Sequence, residues 1–255
     1  MNDVDYNKVD NLSKIQKDFY TENEITANRS KAEIHAWRTK NDIKIEDPDC
    51  KLRPVIEFSE LKIPNELSEL FKKNKYVNPT PIQAQSWPIS LRGKDTIGIA
   101  RTGSGKTLSF LMPAMIHITA QEPLRRGDGP ICLVLTPTRE LAQQVQEEGS
   151  KFGHGMNVRT TAVYGGAPKH AQKRQLDAGS EIVVACPGRL LDFIQSRQVN
   201  MHRVSFLILD EADRMLDMGF EPSIRKILGQ CRRDRQTLMF SATVRLRIRN
   251  CFFNA

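Results

Sequence analysis

Apolar residues along this chain gather into six short runs separated by turn residues. Thr96–Ala100, Ile131–Thr136, Val158–Tyr164, Ile182–Cys186, Phe206–Asp210 and Thr237–Ser241 are rich in Val, Ile and Leu. Runs this short, with few polar breaks, predict strands buried on both faces. Helical spacing fills the intervals, over Lys106–Ile118, Arg139–Phe152, Ala171–Asp177, Arg189–Ser196 and Pro222–Gln230. Upstream, Asn65–Lys73 and Ile82–Leu91 read as two further helices. Strand and helix alternating in this way predict an α/β fold, a mostly parallel sheet with helices on both faces. Residues 1–54 are polar and charged, with short helical patches at Asn11–Phe19 and Lys31–Lys40, and read as an extension ahead of a domain over 55–243. Residues 244–255 form a basic tail. Val244 to Ile248 alternates apolar and basic residues, which favours a strand with one apolar face. With Phe252-Phe253 the tail is expected either to add to the sheet's edge or to remain a disordered, sticky end.

Composition adds little to this and contradicts none of it. A chain of 255 residues suits one α/β domain with an arm. The net charge is +8, and residues 214–255 hold nine Lys and Arg against three Asp and Glu. That excess suits an anionic partner, although part of it sits in the tail. The five cysteines, Cys50, Cys132, Cys186, Cys231 and Cys251, form neither a close pair nor a metal-ligand spacing, which fits a reducing compartment. No secretory pattern and no membrane-length apolar run is visible, so an intracellular protein without a membrane partner is expected.

The chemistry concentrates in two strings. Ala100-Arg101-Thr102-Gly103-Ser104-Gly105-Lys106-Thr107 joins a predicted strand to a predicted helix. Gly103 and Gly105 permit positive φ and close approach of the backbone to phosphate. The helix start turns unpaired N–H groups and a positive dipole end toward an anion. Thr102 to Thr107 therefore read as a cofactor cradle, with Lys106 reaching the β- and γ-phosphates and the Thr107 hydroxyl available to Mg²⁺. Glycine is usual where Ala100 stands, so the match is to a relaxed form of the pattern. The second string, Leu207-Ile208-Leu209-Asp210-Glu211-Ala212-Asp213, places carboxylates at the C-terminal end of a buried strand. Open α/β sheets bind ligands at that end. Asp210 reads as the Mg²⁺ carboxylate, at the end of a strand neighbouring the loop's own, and Glu211 as the base or orienter of the attacking water. Lys106, Asp210 and Glu211 are thus the catalytic candidates.

Asp210-Glu211-Ala212-Asp213 also identifies the chain as resembling the DEAD-box ATP-dependent RNA helicases. Pro79-Thr80-Pro81-Ile82-Gln83, with aromatics at Tyr76 and Phe58, resembles their Q motif. Pro137-Thr138-Arg139-Glu140-Leu141-Ala142-Gln143 resembles motif Ia, Gly165-Gly166 the GG element, Cys186-Pro187-Gly188-Arg189 motif Ib, and Ser241-Ala242-Thr243 motif III. The wording around these strings is closest to the Dbp- and Vasa-related nuclear branch. The resemblance implies a RecA-like P-loop domain, ATP and Mg²⁺ as cofactors, and RNA as partner, in the nucleus or cytoplasm. It places adenine against Gln83, whose carboxamide offers the donor and acceptor that N6 and N7 require. Tyr76 either stacks on the purine or packs in the core, and Phe58 is expected to support the loop by packing. Lys75 stands where the family usually has Gly before the aromatic.

RNA contact is expected from loops at one edge of the sheet. Pro137, Thr138 and Arg139 follow one strand, Gly165 and Gly166 another, and Pro187, Gly188 and Arg189 a third. Backbone N–H groups and two arginines there suit single strands or short duplexes gripped by phosphate, largely without sequence preference. Each arginine could equally be an ion-paired surface residue. Cys186 replaces the Thr that usually opens motif Ib and removes one hydroxyl. Ser241 and Thr243 are expected beside the Asp213 carboxylate, a linkage that in the family couples nucleotide state to unwinding. The family's second domain, with its arginine fingers, has no counterpart here, and the residues after Thr243 are unfamiliar. Two readings follow: the ATP- and RNA-binding half of a helicase, or a non-catalytic truncated product that regulates a full-length one. An incomplete sequence is a third possibility.

Overall fold

The computed structural model describes residues 12–243. The predicted tail strand, its aromatic pair and the first residue of the Asn11–Phe19 patch lie outside them. Six strands, β1 (Thr96–Ile99), β2 (Cys132–Leu135), β3 (Thr160–Val163), β4 (Ile182–Ala185), β5 (Phe206–Asp210) and β6 (Gln236–Ser241), form one parallel sheet in the order β1-β6-β5-β2-β4-β3. Ten α-helices are described: α1 (Glu24–Asn28), α2 (Lys31–Lys40), α3 (Asn65–Lys73), α4 (Pro81–Leu91), α5 (Lys106–Thr119), α6 (Arg139–Gly153), α7 (Lys169–Asp177), α8 (Pro187–Gln195), α9 (Ala212–Asp217) and α10 (Glu221–Leu228).

Because successive strand side chains point to opposite faces, the central strands feed two cores at once. Cys132, Val134, Ile182, Val184, Phe206, Ile208, Leu238 and Phe240 join a core with α3 to α6. Leu133, Leu135, Val183, Ala185, Leu207, Leu209 and Met239 join a second core with α8, α9 and α10. All six strands run the same way, so the loops after them gather along one edge. β1 can pack tightly on β6 because Gly98 lacks a side chain: a Cβ there would lie 2.7 Å from the Phe240 ring.

The polar N-terminal segment lies on this domain. Residues 12–19 carry no helix, despite the helical spacing of Leu12, Ile15 and Phe19. Tertiary partners take their backbone instead: Phe19 N–H donates to the Leu91 carbonyl at 2.7 Å, and the Gln121 side chain bonds both N–H and C=O of Gln16. Tyr20 is buried in the first core. Pro88 inside α4 cannot bond the Ala84 carbonyl, and Val55 N–H fills that place at 2.9 Å. Arg38 bonds both the Gln85 carboxamide and the Leu52 carbonyl. No helix among the described residues is long and apolar enough to cross a membrane.

Candidate functional site

The loop after β1 turns through two glycines in the left-handed region, Gly103 at φ +78 and Gly105 at φ +91, and delivers Lys106 to the first turn of α5. Lys106 is 7% exposed, yet its Nζ has no hydrogen-bond partner. Ser104 Oγ is likewise buried and unpartnered. Buried polar atoms are nearly always bonded, so two orphans in one glycine-rich turn at a helix start are what an anion-binding cradle leaves open. Thr107 is half-buried beside them, and Thr102 and Arg101 are exposed.

Asp210 ends β5 and is 3% exposed. It does not sit on the strand next to the loop's own: β6 intervenes, pairing Ile99 with Ser241 on one side and Asp210 with Phe240 on the other. The expected direct adjacency is therefore corrected by one strand. Asp210 still senses Lys106. Burial pushes its carboxyl up to about 6, against the pull of the Lys106 ammonium, while Glu211 and Asp213 raise it further. Glu211 stands in the left-handed region at φ 52, unusual for a residue with a Cβ. Its N–H donates to Asp210 Oδ1 at 3.1 Å, and its carboxylate lies 3.5 Å from the Arg214 guanidinium. Among the described residues no three His, Cys, Asp or Glu side chains converge on a possible metal position. A magnesium ion here would draw most of its shell from phosphate and water, as this ion commonly does.

Asp213 opens α9 and meets the end of β6. Its Oδ2 accepts from Thr243 N–H at 3.1 Å and Thr243 Oγ1 at 2.9 Å, and its own N–H donates to Ser241 Oγ at 3.4 Å. Partial burial works against its charge, but bonds from Thr243 and Ser241 prevail and hold it below the usual carboxylate range.

Gln83 lies in the first turn of α4, 4% exposed. Its Oε1 accepts from Thr80 N–H and its Nε2 donates to the Gly105 carbonyl, both at 3.0 Å. One donor hydrogen and one lone pair remain free for another ligand. Tyr76 is half-buried, its ring 5.8 Å from Phe71 and 6.2 Å from Phe152, with Lys151 Nζ 5.9 Å from its centroid. Lys75 before it takes φ 56, the conformation a glycine adopts without strain. Phe58 packs 4.8 Å from Phe71 and 5.9 Å from Trp87.

The other three predicted loops share the same edge. Thr138 caps α6, accepting from Leu141 N–H at 3.3 Å, with Pro137 buried behind it. Arg139 is exposed and pairs loosely with Glu140 at 3.7 Å. Its Nη1 lies 3.8 Å from where a Gly166 Cβ would stand, so the loops after β2 and β3 touch. Gly165, Gly166 and Gly188 are exposed, and Pro187 is buried at the start of α8. Arg189 is half-buried, and its Nη1 donates to the Ala167 carbonyl at 3.1 Å. Cys186 is partly buried; desolvation raises its thiol, against a bond with Thr136.

The family model for the DEAD/DEAH box helicases matches residues 80–250. This chain belongs to that family. The DEAD-box chain is 52% identical to the rice "DEAD-box ATP-dependent RNA helicase 20" over 235 residues, which is 92% of this chain and 47% of the relative. It is 51% identical to the Drosophila melanogaster "ATP-dependent RNA helicase p62" over 243 residues, 95% of this chain and 33% of the relative. It thus spans less than half the length of these relatives. Among solved structures, the RNA-helicase Prp28 from Chaetomium thermophilum bound to ADP superposes with a TM-score of 0.81 at 35% identity, covering 91% of this chain and 56% of that one. A DEAD box protein from Methanococcus jannaschii gives 0.70 at 37% identity, over 77% and 53%.

Two groups of this DEAD-box chain escaped the sequence reading. Gln172, on α7, bonds both the N–H and the C=O of Tyr164. Glu60, 1% exposed, receives Arg29, Thr26 and two backbone N–H groups. A lone Gln in a polar helix and a Glu in a polar loop carry no periodic signal, and their partners are distant in sequence.

Proposed function

We propose that this chain is the ATP- and RNA-binding part of an ATP-dependent RNA helicase, working inside the cell in the nucleus or cytoplasm, with residues 55–243 as its nucleotide-binding unit. The observation that carries the reading is the buried, unpartnered Lys106 Nζ within electrostatic reach of the buried Asp210 carboxylate. An ammonium without a bond and a buried carboxylate with a raised pKa are each costly, and a magnesium–triphosphate complex relieves both. The family relatives named for ATP dependence support the same reading.

In this proposal Lys106 binds the β- and γ-phosphates, and Ser104 and the Gly103 and Gly105 backbone line the cradle. Thr107 and Asp210 hold Mg²⁺. When bound, Mg²⁺ neutralises charge that develops on the phosphates during transfer. Glu211, fixed by its bond to Asp210 and steered by Arg214, accepts a proton from the attacking water. Gln83 orients adenine with its free donor and lone pair, and Tyr76 offers a ring face. The loops with Arg139, Gly165-Gly166 and Arg189 grip RNA phosphates, and Asp213 with Ser241 and Thr243 couples the two sites.

Isothermal titration with ADP tests the nucleotide half. Lys106→Ala should weaken binding at least about tenfold, the weight of one charged hydrogen bond. Equal ADP affinity in the parent and this variant would refute it. Fluorescence anisotropy with labelled single strands tests the RNA half: affinity should fall steeply as salt rises and hardly vary with sequence.

A further inference from the structure

The loop after β3 is held at both ends by side chains outside the motifs' glycines. Tyr164 follows the last residue of β3, an edge strand of the sheet, where no further strand among the described residues covers the backbone. Gln172 takes that place. Its Oε1 accepts from Tyr164 N–H at 3.3 Å and its Nε2 donates to the Tyr164 carbonyl at 2.9 Å. One carboxamide thus reproduces the pair of bonds that a neighbouring strand would make. Only this orientation of the amide serves both groups. Gln172 is the one buried residue of α7, an otherwise polar helix. A carboxamide is costly to bury unless satisfied, and here it is satisfied by the loop.

The far end of the loop is tied by Arg189, whose Nη1 donates to the Ala167 carbonyl at 3.1 Å and stands 3.5 Å from Gln172 Oε1. The Tyr164 hydroxyl is fixed in turn by Gln143 of α6 at 2.9 Å. Between the clamps lie only Gly165 and Gly166, both exposed, with Gly166 at φ +78. A glycine pair is the most mobile backbone available, and freezing it when an anion binds costs conformational entropy. Clamping both neighbours beforehand removes much of that cost.

We propose that Gln172 is a positioning residue for RNA binding: it holds Gly165-Gly166 in the conformation that grips phosphate, without touching RNA itself. This rests on the RNA reading above. The role also extends to Arg189, part of whose guanidinium is committed to the loop.

The test uses the full chain, a labelled single-stranded oligonucleotide and ADP. Gln172→Leu removes both bonds at similar size and should weaken RNA binding about tenfold, leaving ADP affinity unchanged. Gln172→Glu keeps the acceptor when ionised but loses the donor. When protonated, its carboxyl offers one O–H donor and one acceptor, as the amide does. Its RNA affinity relative to the parent should therefore recover as pH falls toward the carboxyl pKa, a change that a bulk packing role does not produce. Equal RNA affinity in Gln172→Leu and the parent overturns the inference. So does parallel loss of ADP binding, which marks general destabilisation. No RNA binding by the parent chain removes the RNA reading and this inference with it, a result distinct from an unaffected variant.

Discussion

Gln83 Nε2 donates to the Gly105 carbonyl at 3.0 Å, joining the start of α4 to the glycine-rich turn before Lys106. The Gly105 carbonyl also accepts from Ser109 N–H at 3.2 Å and Ser109 Oγ at 3.1 Å. Three donors on one oxygen fix the direction in which the turn presents its N–H groups. The bond requires a glycine: a Cβ on Gly105 would stand 2.7 Å from Gln83 Nε2 and 2.9 Å from Thr80 Oγ1, at a φ of +91. Gly103 has similar φ, +78, but open space around its Cβ position.

Gly105→Ala and Gly103→Ala therefore separate backbone strain from collision. Both replace glycine in the left-handed region, at about 1 kcal/mol each. Only Gly105→Ala must also displace Gln83. We expect Gly103→Ala to lower stability by about 1 kcal/mol, and Gly105→Ala by about 2–3 kcal/mol with loss of ADP binding. Urea melts and ADP titration of the pair measure this, and equal effects at both positions would contradict the role given to Gln83.

Asp210 predicts a pH-dependent difference. Its carboxyl is raised from the ordinary value of 3.8 to about 6, chiefly by burial. A raised carboxylate pKa means the folded form holds the proton more tightly. Its contribution to stability is full below about pH 4 and is lost as pH rises through about 6. Asp210→Asn removes that titration. The variant should exceed the parent by about 2–3 kcal/mol at pH 7 without nucleotide and match it near pH 4. Urea unfolding of both proteins across this range decides it; a constant difference would show that Asp210 does not titrate as described.

Much of the fold was legible because the signals that set its elements are local. The β5 bounds Phe206–Asp210 and the helices Lys31–Lys40 and Asn65–Lys73 agree with the pattern residue for residue. Ser30 and Glu33, for example, form a reciprocal cap that fixes the start of α2. Strand order was not legible, since parallel strands are joined by crossovers and nothing local says that β6 inserts between β1 and β5. The short helix α9 was also missed, its six residues having too few turns for a period. Residues 12–19 have helical spacing, but Leu91 and Gln121 offer their backbone better partners.

Lys75 holds φ 56, a conformation that glycine adopts without strain. Lys75→Gly should relieve about 1 kcal/mol of strain, offset in part by added freedom in the unfolded chain. A net change between zero and about +1 kcal/mol in stability, with ADP affinity kept, is expected from thermal melts. A clear loss of stability would mean that the Lys75 side chain contributes a contact of its own.

Arg29 and Glu60 tie the segment around α1 to the turn that bears Phe58. Glu60 caps the turn that bears Phe58, and Phe58 packs on Phe71 and on Trp87 of α4. Arg29 reaches it from beyond α1, with Nη2 2.5 Å from Oε1 and Nη1 2.9 Å from Oε2, and Thr26 Oγ1 adds a bond at 2.6 Å. Desolvation works against the Glu60 charge, yet the bonds from Arg29 and Thr26 prevail and its pKa falls below the ordinary 4.5. A lowered carboxylate pKa gives stability that is present above about 4.5 and lost as pH falls through the folded value. Arg29→Met leaves a charge at a position 1% exposed and should cost about 3–5 kcal/mol at pH 7. Glu60→Gln keeps the size and one acceptor, so the double variant should be clearly more stable than the two single losses added together. The cost of Arg29→Met should also shrink as the buffer is taken toward pH 4, where Glu60 without its partner takes up a proton. Additive single losses in urea unfolding, or a cost independent of pH, would show that the pair acts separately and does not anchor α1 to the turn that bears Phe58.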